Sequence, residues 1–305
     1  MIRVDLHTHS TASDGTDSPA KLVQKAAREG LAVLALTDHD TLDGLGEAGS
    51  EAEKLGIVFI RGCEISTATA WGEAHFLGLW IPEEAEKTAE LEKTLVCIRE
   101  KRLERNLEIV QKLQQIGFDI SYEEVSALAG GAVVGRPHFA QWLCLRGIVK
   151  NRKEAFGKYL GKEGSAFVPR SLVLPEYAVA LLKSTGALVS MAHPCLLHVP
   201  AKELSAFVAS MKEAGLDALE AYHSEHDAGD VRLCVDLAAK YQLQLTGGSD
   251  YHGLAKKGIL LGKGKGNLRI GTNVYETLLA YWKSMAHGRE KDIPACVFST
   301  CGTKK

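Results

Sequence analysis

Short apolar runs that end in histidine or acid recur along the whole chain, and this recurrence constrains the fold more than any other feature. The clearest is Leu31 to Leu36, an unbroken apolar run of the kind buried on both faces of a sheet, which stops at Thr37-Asp38-His39-Asp40. Upstream, Val4 to Ser10 reads as a short strand carrying His7 and His9 at i and i+2. On an extended segment that spacing points both rings to one side. Asp14-Gly15 follows one turn later. Ser18-Pro19 is an N-cap followed by proline at the first helical position, and the helix it opens stops at Gly30. A second helix closes at Gly56, and the strand Ile57 to Ile60 runs into Gly62-Cys63-Glu64-Ile65-Ser66. Strand, helix, strand, helix, strand is the rhythm of a parallel sheet. In α/β barrels the C-terminal ends of such strands carry the chemistry.

The next unit breaks the rhythm. Only ten residues separate Glu64 from His75, which opens the apolar run Phe76 to Ile81. A helical crossover does not fit that gap, so the spacing predicts a hairpin, which returns His75 to the end of the sheet that holds Glu64. Residues 82–168 then read as a helical insertion. Glu83 to Ile116 is rich in Glu, Lys, Arg and Leu at helical spacing, Ser121-Tyr122-Glu123-Glu124 is a capping box, and shorter helices fit Arg136–Arg146 and Asn151–Leu160. Because both ends of the insertion return to the barrel, a lid is the expected role. Barrel rhythm resumes with helix Leu174–Thr185. Strand Ala187–Met191 then ends in His193, strand Asp217–Ala221 in Tyr222-His223, and strand Gln244–Thr246 in Ser249-Asp250-Tyr251-His252. A last helix is expected near Val274–His287, and residues 291–305 are expected to be a loose tail. The chain therefore divides into a barrel over 1–81 and 169–290, the insertion, and the tail.

At 305 residues the chain is long enough for one barrel with an insertion, and its net charge of −2 gives no general argument for DNA or membrane binding. No stretch approaches the length of a membrane span, and no basic-then-apolar leader precedes the first strand. The seven cysteines are scattered, with no Cys-x-x-Cys. That points to reduced thiols and a cytoplasmic setting, and leaves any metal to histidine and carboxylate. The candidates are His7, His9, Asp14, His39, Glu64, His75, His193, Asp250 and His252, at strand ends on one face of the expected barrel. Nine donors exceed what one ion needs, so two or three divalent metals are expected. Manganese is the first choice, with iron, zinc or magnesium as alternatives, because thiolates are lacking. Asp5, Asp38 and Asp40 are placed either to orient ligand imidazoles or to cap strand ends. The loop Gly262 to Asn267 lacks Walker spacing and reads as a flexible turn. Few aromatics offer a stacking platform, which favours a small nucleotide or short oligonucleotide over duplex DNA.

Asp5-Leu6-His7-Thr8-His9-Ser10, Thr37-Asp38-His39-Asp40, Gly62-Cys63-Glu64-Ile65-Ser66, Ala192-His193-Pro194 and Ser249-Asp250-Tyr251-His252 resemble the motifs of the PHP (polymerase and histidinol phosphatase) family. With Gly135-Arg136-Pro137-His138 in the insertion, the chain is similar to the branch of 3′,5′-nucleotide bisphosphatases and the oligoribonucleotide exonuclease RNase AM. The resemblance implies a distorted (β/α)7 TIM-like barrel with a trinuclear centre. In it His7, His9, Glu64 and Asp250 hold one metal, and a bridging Glu64 holds a second with His75 and His193. Asp14, His39 and His252 hold the third, which makes those three catalytic candidates. It also implies hydrolysis of the 3′-phosphate of nucleotide 3′,5′-bisphosphates or of short 5′-phosphorylated RNA. Alternatives are a small phosphomonoesterase such as a histidinol phosphatase, or a non-catalytic metal-binding module. Arg136 and His138, with Arg170 where the insertion rejoins the barrel, are candidates for binding a second phosphate, since guanidinium matches phosphate oxygens. His223 is a candidate to contact substrate or protonate the leaving group.

Overall fold

The computed structural model describes residues 3–130, 133–285 and 296–300. The chain separates into two compact units, one formed by Met1–Leu95 with Leu172–Lys305, the other by Val96–Ser171.

The first unit is a nearly closed barrel-shaped sheet with helices packed around it. Its strands are β1 (Arg3–Asp5), β2 (Leu31–Leu36), β3 (Val58–Ala68), β4 (Glu73–Leu79), β5 (Ser171–Val173, at the junction with the second unit), β6 (Leu188–Met191), β7 (Ala218–His223), β8 (Gln244–Gly248) and β9 (Phe298–Thr300). The main path runs β1-β2-β3-β4-β6-β7-β8. Its pairs are parallel except those made by β4, which is antiparallel to β3 and to β6. The short link after β3 forces this reversal, as the ten-residue gap requires. Beyond β1 and β8 the two edges meet. Leu6 N donates to Gly247 O at 3.3 Å, Asp250 N to His7 O at 2.9 Å, and His9 N to Tyr251 O at 2.9 Å. A Cβ on Gly248 would lie 2.3 Å from His7 Cβ, so only glycine lets the edges approach.

Strand β2 shows why its run is unbroken. Val33 and Ala35 pack inside the barrel with Val4, Leu6, Ile60, Leu79, Leu188 and Ala218. Leu34 and Leu36 face outward into a second core, with Leu22, Val23 and Ala26 of α1 (Pro19–Arg28) and Ala48 and Ala52 of α2 (Leu45–Leu55). Burying each such leucine contributes about 1.5–3 kcal/mol. Ser18 caps α1 by accepting from Lys21 N, and Gly56 ends α2 in the left-handed conformation.

Helix α3 (Ala85–Gln115) begins in the first unit and continues into the second. Its early turns belong to the first unit, where Thr94 Oγ1 meets Tyr177 OH at 2.9 Å. The second unit therefore begins later than residue 82. It adds α4 (Tyr122–Ala129), opened by the Ser121–Glu124 capping box, α5 (Arg136–Leu145), and α6 (Arg152–Ala155), which continues as a π turn over Phe156–Leu160. Ile109, Leu113, Val125, Phe139, Trp142, Leu143 and Leu160 give it its own core.

The barrel is completed by α7 (Pro175–Ser184), α8 (Ala201–Ala214), α9 (Ala228–Tyr241) and α10 (Thr272–Met285). Strands β5 and β9 had no sequence signal. They pair with each other, and Leu174 N donates to Val297 O at 3.2 Å, so residues 298–300 form a strand where a loose tail was expected. The expected end of the last helix at His287, and tail residues 291–295 and 301–305, lie outside the described residues. No helix among the described residues is long and apolar enough to cross a membrane.

Candidate metal centre

Glu64 occupies the middle of one end of the barrel, fully buried. Its Oε2 lies 3.1 Å from His7 Nε2, 3.2 Å from His9 Nε2 and 3.1 Å from His39 Nδ1. Its Oε1 lies 2.9 Å from His75 Nδ1 and 3.2 Å from His193 Nε2. His7 and His9 follow β1, His39 follows β2 and His193 follows β6, while the hairpin returns His75 alongside Ser66, two residues past Glu64. Asp250 is a second focus. Its Oδ1 is 3.7 Å from His7 Nε2, 3.3 Å from His9 Nε2 and 3.3 Å from His252 Nδ1. Asp14 Oδ1 is 3.2 Å from His252 Nε2.

These side chains form overlapping groups whose ligand atoms lie within 4.8 Å of one another: His9, Asp14, His39 and His252; His7, Glu64 and His193; His7, His9 and Asp250; His39, Glu64 and His75. All nine expected donors are thus drawn together. The grouping differs in detail from the expected one, because His9 also joins the Asp14 group and His39 the Glu64 group.

The donor set fits divalent cations. His7 Nε2 and His9 Nε2 face each other at 3.1 Å, where at most one proton can sit between them. Among the described residues, His39 Nδ1 and both nitrogens of His75 are buried without a hydrogen-bond partner, although Glu64 oxygens are near. Lone pairs and carboxylates left facing one another in this way are what a shared cation satisfies.

The electrostatics express the same crowding. Burial lowers His9, but Asp250 and Glu64 outweigh it and raise it to about 9; burial likewise opposes His75, which Glu64 and Glu73 raise to about 10. Burial pushes Glu64 up, but His39, His7 and His75 hold it well below the carboxylate range. Burial pushes Asp14 up as well, and His39 and His252 hold it down. Burial lowers His39, helped by the His9 charge, despite Glu64.

Hydrogen bonds fix several rings. His252 Nδ1 donates to the Asp250 carbonyl at 2.9 Å, which leaves its Nε2 lone pair facing the Asp14 side. His223 Nδ1 accepts from Glu225 N at 3.1 Å, so its proton is on Nε2, 3.2 Å from Asp250 Oδ2. In that state His223 holds Asp250. His193 and Asp250 sit at φ 29° and 54°, a left-handed conformation costly for residues other than glycine and frequent where function requires it.

Asp5 and Asp38 hold loops, and Asp40 holds strand β3. Asp5 accepts from Ser249 N at 2.8 Å, Ser249 Oγ at 2.6 Å and Gly262 N at 2.7 Å, and this last bond ties down the glycine-rich loop. Asp38 accepts from Ser10 N at 2.7 Å and from Ser10 Oγ and Ser13 Oγ at 2.6 Å. Asp40 accepts from Ser66 N at 3.0 Å. Of the two readings of these residues, these bonds match strand-end capping.

Two residues of the site escaped sequence reasoning. Glu220, fully buried on β7, accepts from His7 Nδ1 at 3.0 Å and from His193 N at 2.8 Å. A glutamate inside the apolar stretch Ala218 to Ala221 was the available signal, because a buried carboxylate demands partners. Lys256, past His252, places Nζ against Asp250 Oδ2.

Arg136, His138 and Arg170 lie in the second unit. Arg136 opens α5, donates to Leu160 O at 3.4 Å and stands over the rings of Phe156 and Phe167. His138 Nδ1 accepts from Gly135 N at 3.0 Å, a local cap. Arg170 immediately precedes β5 and is half-buried.

Comparison with known proteins adds the following. The PHP domain profile matches residues 5–162. A 5′-3′ exoribonuclease from Haemophilus influenzae is 36% identical over 250 residues, covering 82% of this chain and 90% of that protein. A 3′,5′-nucleoside bisphosphate phosphatase from Chromobacterium violaceum is 31% identical, covering 83% and 88%. A phosphoribosyl 1,2-cyclic phosphate 1,2-diphosphodiesterase from Eggerthella lenta is 31% identical, covering 82% and 94%. Among solved structures, one described as a metal-dependent phosphoesterase from Bifidobacterium adolescentis superposes with a TM-score of 0.76 at 29% identity, covering 90% of this chain and 95% of that one. An amidohydrolase from Chromobacterium violaceum, solved with sulfate and no metal, gives 0.77 at 28%, covering 91% and 96%.

Proposed function

The chain belongs to the PHP domain family, and from that premise we propose that it removes the 3′-phosphate of nucleoside 3′,5′-bisphosphates and acts on short 5′-phosphorylated oligoribonucleotides. It is a metal-dependent phosphoric ester hydrolase. The observation that carries the reading is the convergence of nine histidine, aspartate and glutamate side chains, none of them a thiolate, at one end of the barrel.

A phosphate ester anion repels nucleophiles, so the site must supply positive charge as well as a base. Divalent ions, manganese in this proposal, supply that charge when bound and bring water toward ionisation near neutral pH. His7, His9, Glu64 and Asp250, then Glu64 with His75 and His193, and finally Asp14, His39 and His252 are the residues that would hold them. The protein's own part is to gather these donors and aim them. Glu220 accepts a hydrogen bond from the Nδ1–H of His7, which turns the Nε2 lone pair inward. The Asp250 carbonyl does the same for His252. His223 spends its Nε2 proton on Asp250, so its part is to position that carboxylate rather than to protonate a leaving group.

The test is product release from manganese-reconstituted protein. Substrates are adenosine 3′,5′-bisphosphate, 5′-AMP, histidinol phosphate, a cyclic phosphodiester of a pentose phosphate, and short 5′-phosphorylated RNA. The reading expects phosphate from the bisphosphate, abolished by Asp14→Ala, and a raised KM for it in Arg136→Ala. Turnover of histidinol phosphate or the cyclic diester alone overturns the substrate assignment. No turnover with any metal overturns the enzymatic reading.

A further inference from the structure

We propose that Lys256 is a substrate-binding residue, whose ammonium holds a phosphoryl oxygen of the ligand beside Asp250; the proposal rests on the phosphoesterase reading above. Three observations carry it. First, Lys256 lies in the turn that follows His252 and folds back six residues to set Nζ against Asp250 Oδ2, at the edge of the metal centre. Secondly, Asp250 does not need it. Oδ2 already accepts from His223 Nε2, while Oδ1 faces His7, His9 and His252. Thirdly, Lys256 has spare donors. Its one hydrogen-bond partner among the described residues is Asp250, its side chain is 39% exposed, and the nearby carboxylate Glu225 is taken by Lys265 at 3.1 Å. An ammonium has three N–H groups, so two remain for a ligand.

Charge balance gives the lysine a reason to be there. Asp14, Glu64 and Asp250 are the carboxylates among the nine donors, against two or three divalent ions. A further cation at this edge is repelled by a loaded centre and becomes favourable only when an anion arrives. A phosphate dianion meets the ions on one side and the Lys256 ammonium on the other. A point charge on a flexible stem suits this role, since it follows the oxygen wherever the ester is bound.

The probe is inorganic phosphate titrated calorimetrically into manganese-loaded protein, with Lys256→Met and Lys256→Arg as variants and metal content measured in each. Phosphate affinity should fall about ten- to a hundred-fold in Lys256→Met, the range for losing one charge-assisted hydrogen bond, with partial recovery in Lys256→Arg. Metal content and melting temperature should stay at wild-type values, and KM for a turned-over ester should rise in parallel. Unchanged phosphate affinity in Lys256→Met overturns the proposal. So does a parallel loss of metal, which would make Lys256 a support for Asp250, and so does absence of phosphate binding to the wild type. Failure of the substrate panel with phosphate binding intact and sensitive to Lys256→Met would instead fault the catalytic reading and leave this assignment standing.

Discussion

Replacing Glu220 with glutamine should weaken metal binding while leaving the barrel folded. The carboxylate accepts two donors at once, His7 Nδ1 at 3.0 Å and His193 N at 2.8 Å, in a fully buried position. A glutamine has one acceptor oxygen. If that oxygen keeps the His193 amide, an NH2 replaces the Oε1 that stood 3.0 Å from His7 Nδ1, and the buried Nδ1–H is left with only the longer 3.2 Å contact and a facing donor, at a cost of about 1–3 kcal/mol. The alternative is for His7 to move its proton to Nε2, which removes the lone pair that faces Glu64 and His9. Either way metal affinity suffers. The cost corresponds to about five- to 150-fold in a binding constant, consistent with the 10–100-fold typical of groups that orient a ligand. The assay is competition against a metallochromic chelator at pH 7.5, with nitrogen-15 NMR of the histidine rings reporting which His7 nitrogen carries the proton. Glu220→Asp, which keeps the charge but shortens the reach, should fall between. Wild-type metal affinity in Glu220→Gln with an unchanged His7 tautomer would refute the reasoning.

Four further outcomes follow from the structure. Gly248→Ala should abolish activity and lower stability, because the new methyl would sit 2.3 Å from His7 Cβ and 2.4 Å from His7 N, and the closing edge must shift; wild-type activity and melting temperature would contradict this. Asp38→Ala strips the acceptor from Ser10 N, Ser10 Oγ and Ser13 Oγ, and should cost about 3 kcal/mol or more in urea unfolding while loosening the loop that carries Asp14. Removing metal should release the stabilisation that binding supplies, about 4 kcal/mol at a thousand-fold excess over Kd, read by calorimetry as a fall of roughly 10 °C in Tm. The metal-free protein should also lose stability between pH 7 and 10. His9 and His75 have folded values of about 9 and about 10 against an ordinary value of 6.5, so the folded state binds the extra protons. That contribution is complete below 6.5 and vanishes as pH passes through the folded values. Metal-loaded protein should show no such slope in paired urea melts.

Much of the fold can be read locally. Ser18-Pro19, Gly30 and Gly56 bound α1 and α2 because caps and left-handed glycines act within one turn. The hairpin after Glu64 follows from the length of its link, and the two-sided burial of β2 from its unbroken apolar run. Most of the nine metal-type residues stand out for the same reason, since they follow a recognisable strand or lie in the turn after one, while Glu64 lies within β3 and His75 near the start of β4. What the chain order does not display is which side chains meet across the barrel. Glu220 and His7 are 213 positions apart, and the carboxylate of Glu220 reaches the imidazole only because β7 presents that face of its pleat inward once the sheet has curled. Strands β5 and β9 are three residues each, too short to carry an alternating pattern, and exist through pairing alone. Asp5, Asp38 and Asp40 look locally like partners for the histidines beside them, yet Asp5 and Asp38 bond to the loop amides of Ser249 and Ser10 and Asp40 to the Ser66 amide on β3, because backbone amides must be satisfied wherever the barrel end excludes water. The sequence by itself thus determined most of the elements and the residues that carry charge to one end of the sheet, since those depend on local periodicity and caps. Tertiary structure alone decided their partners, since a hydrogen bond or a shared cation depends on distances that only the closed sheet sets.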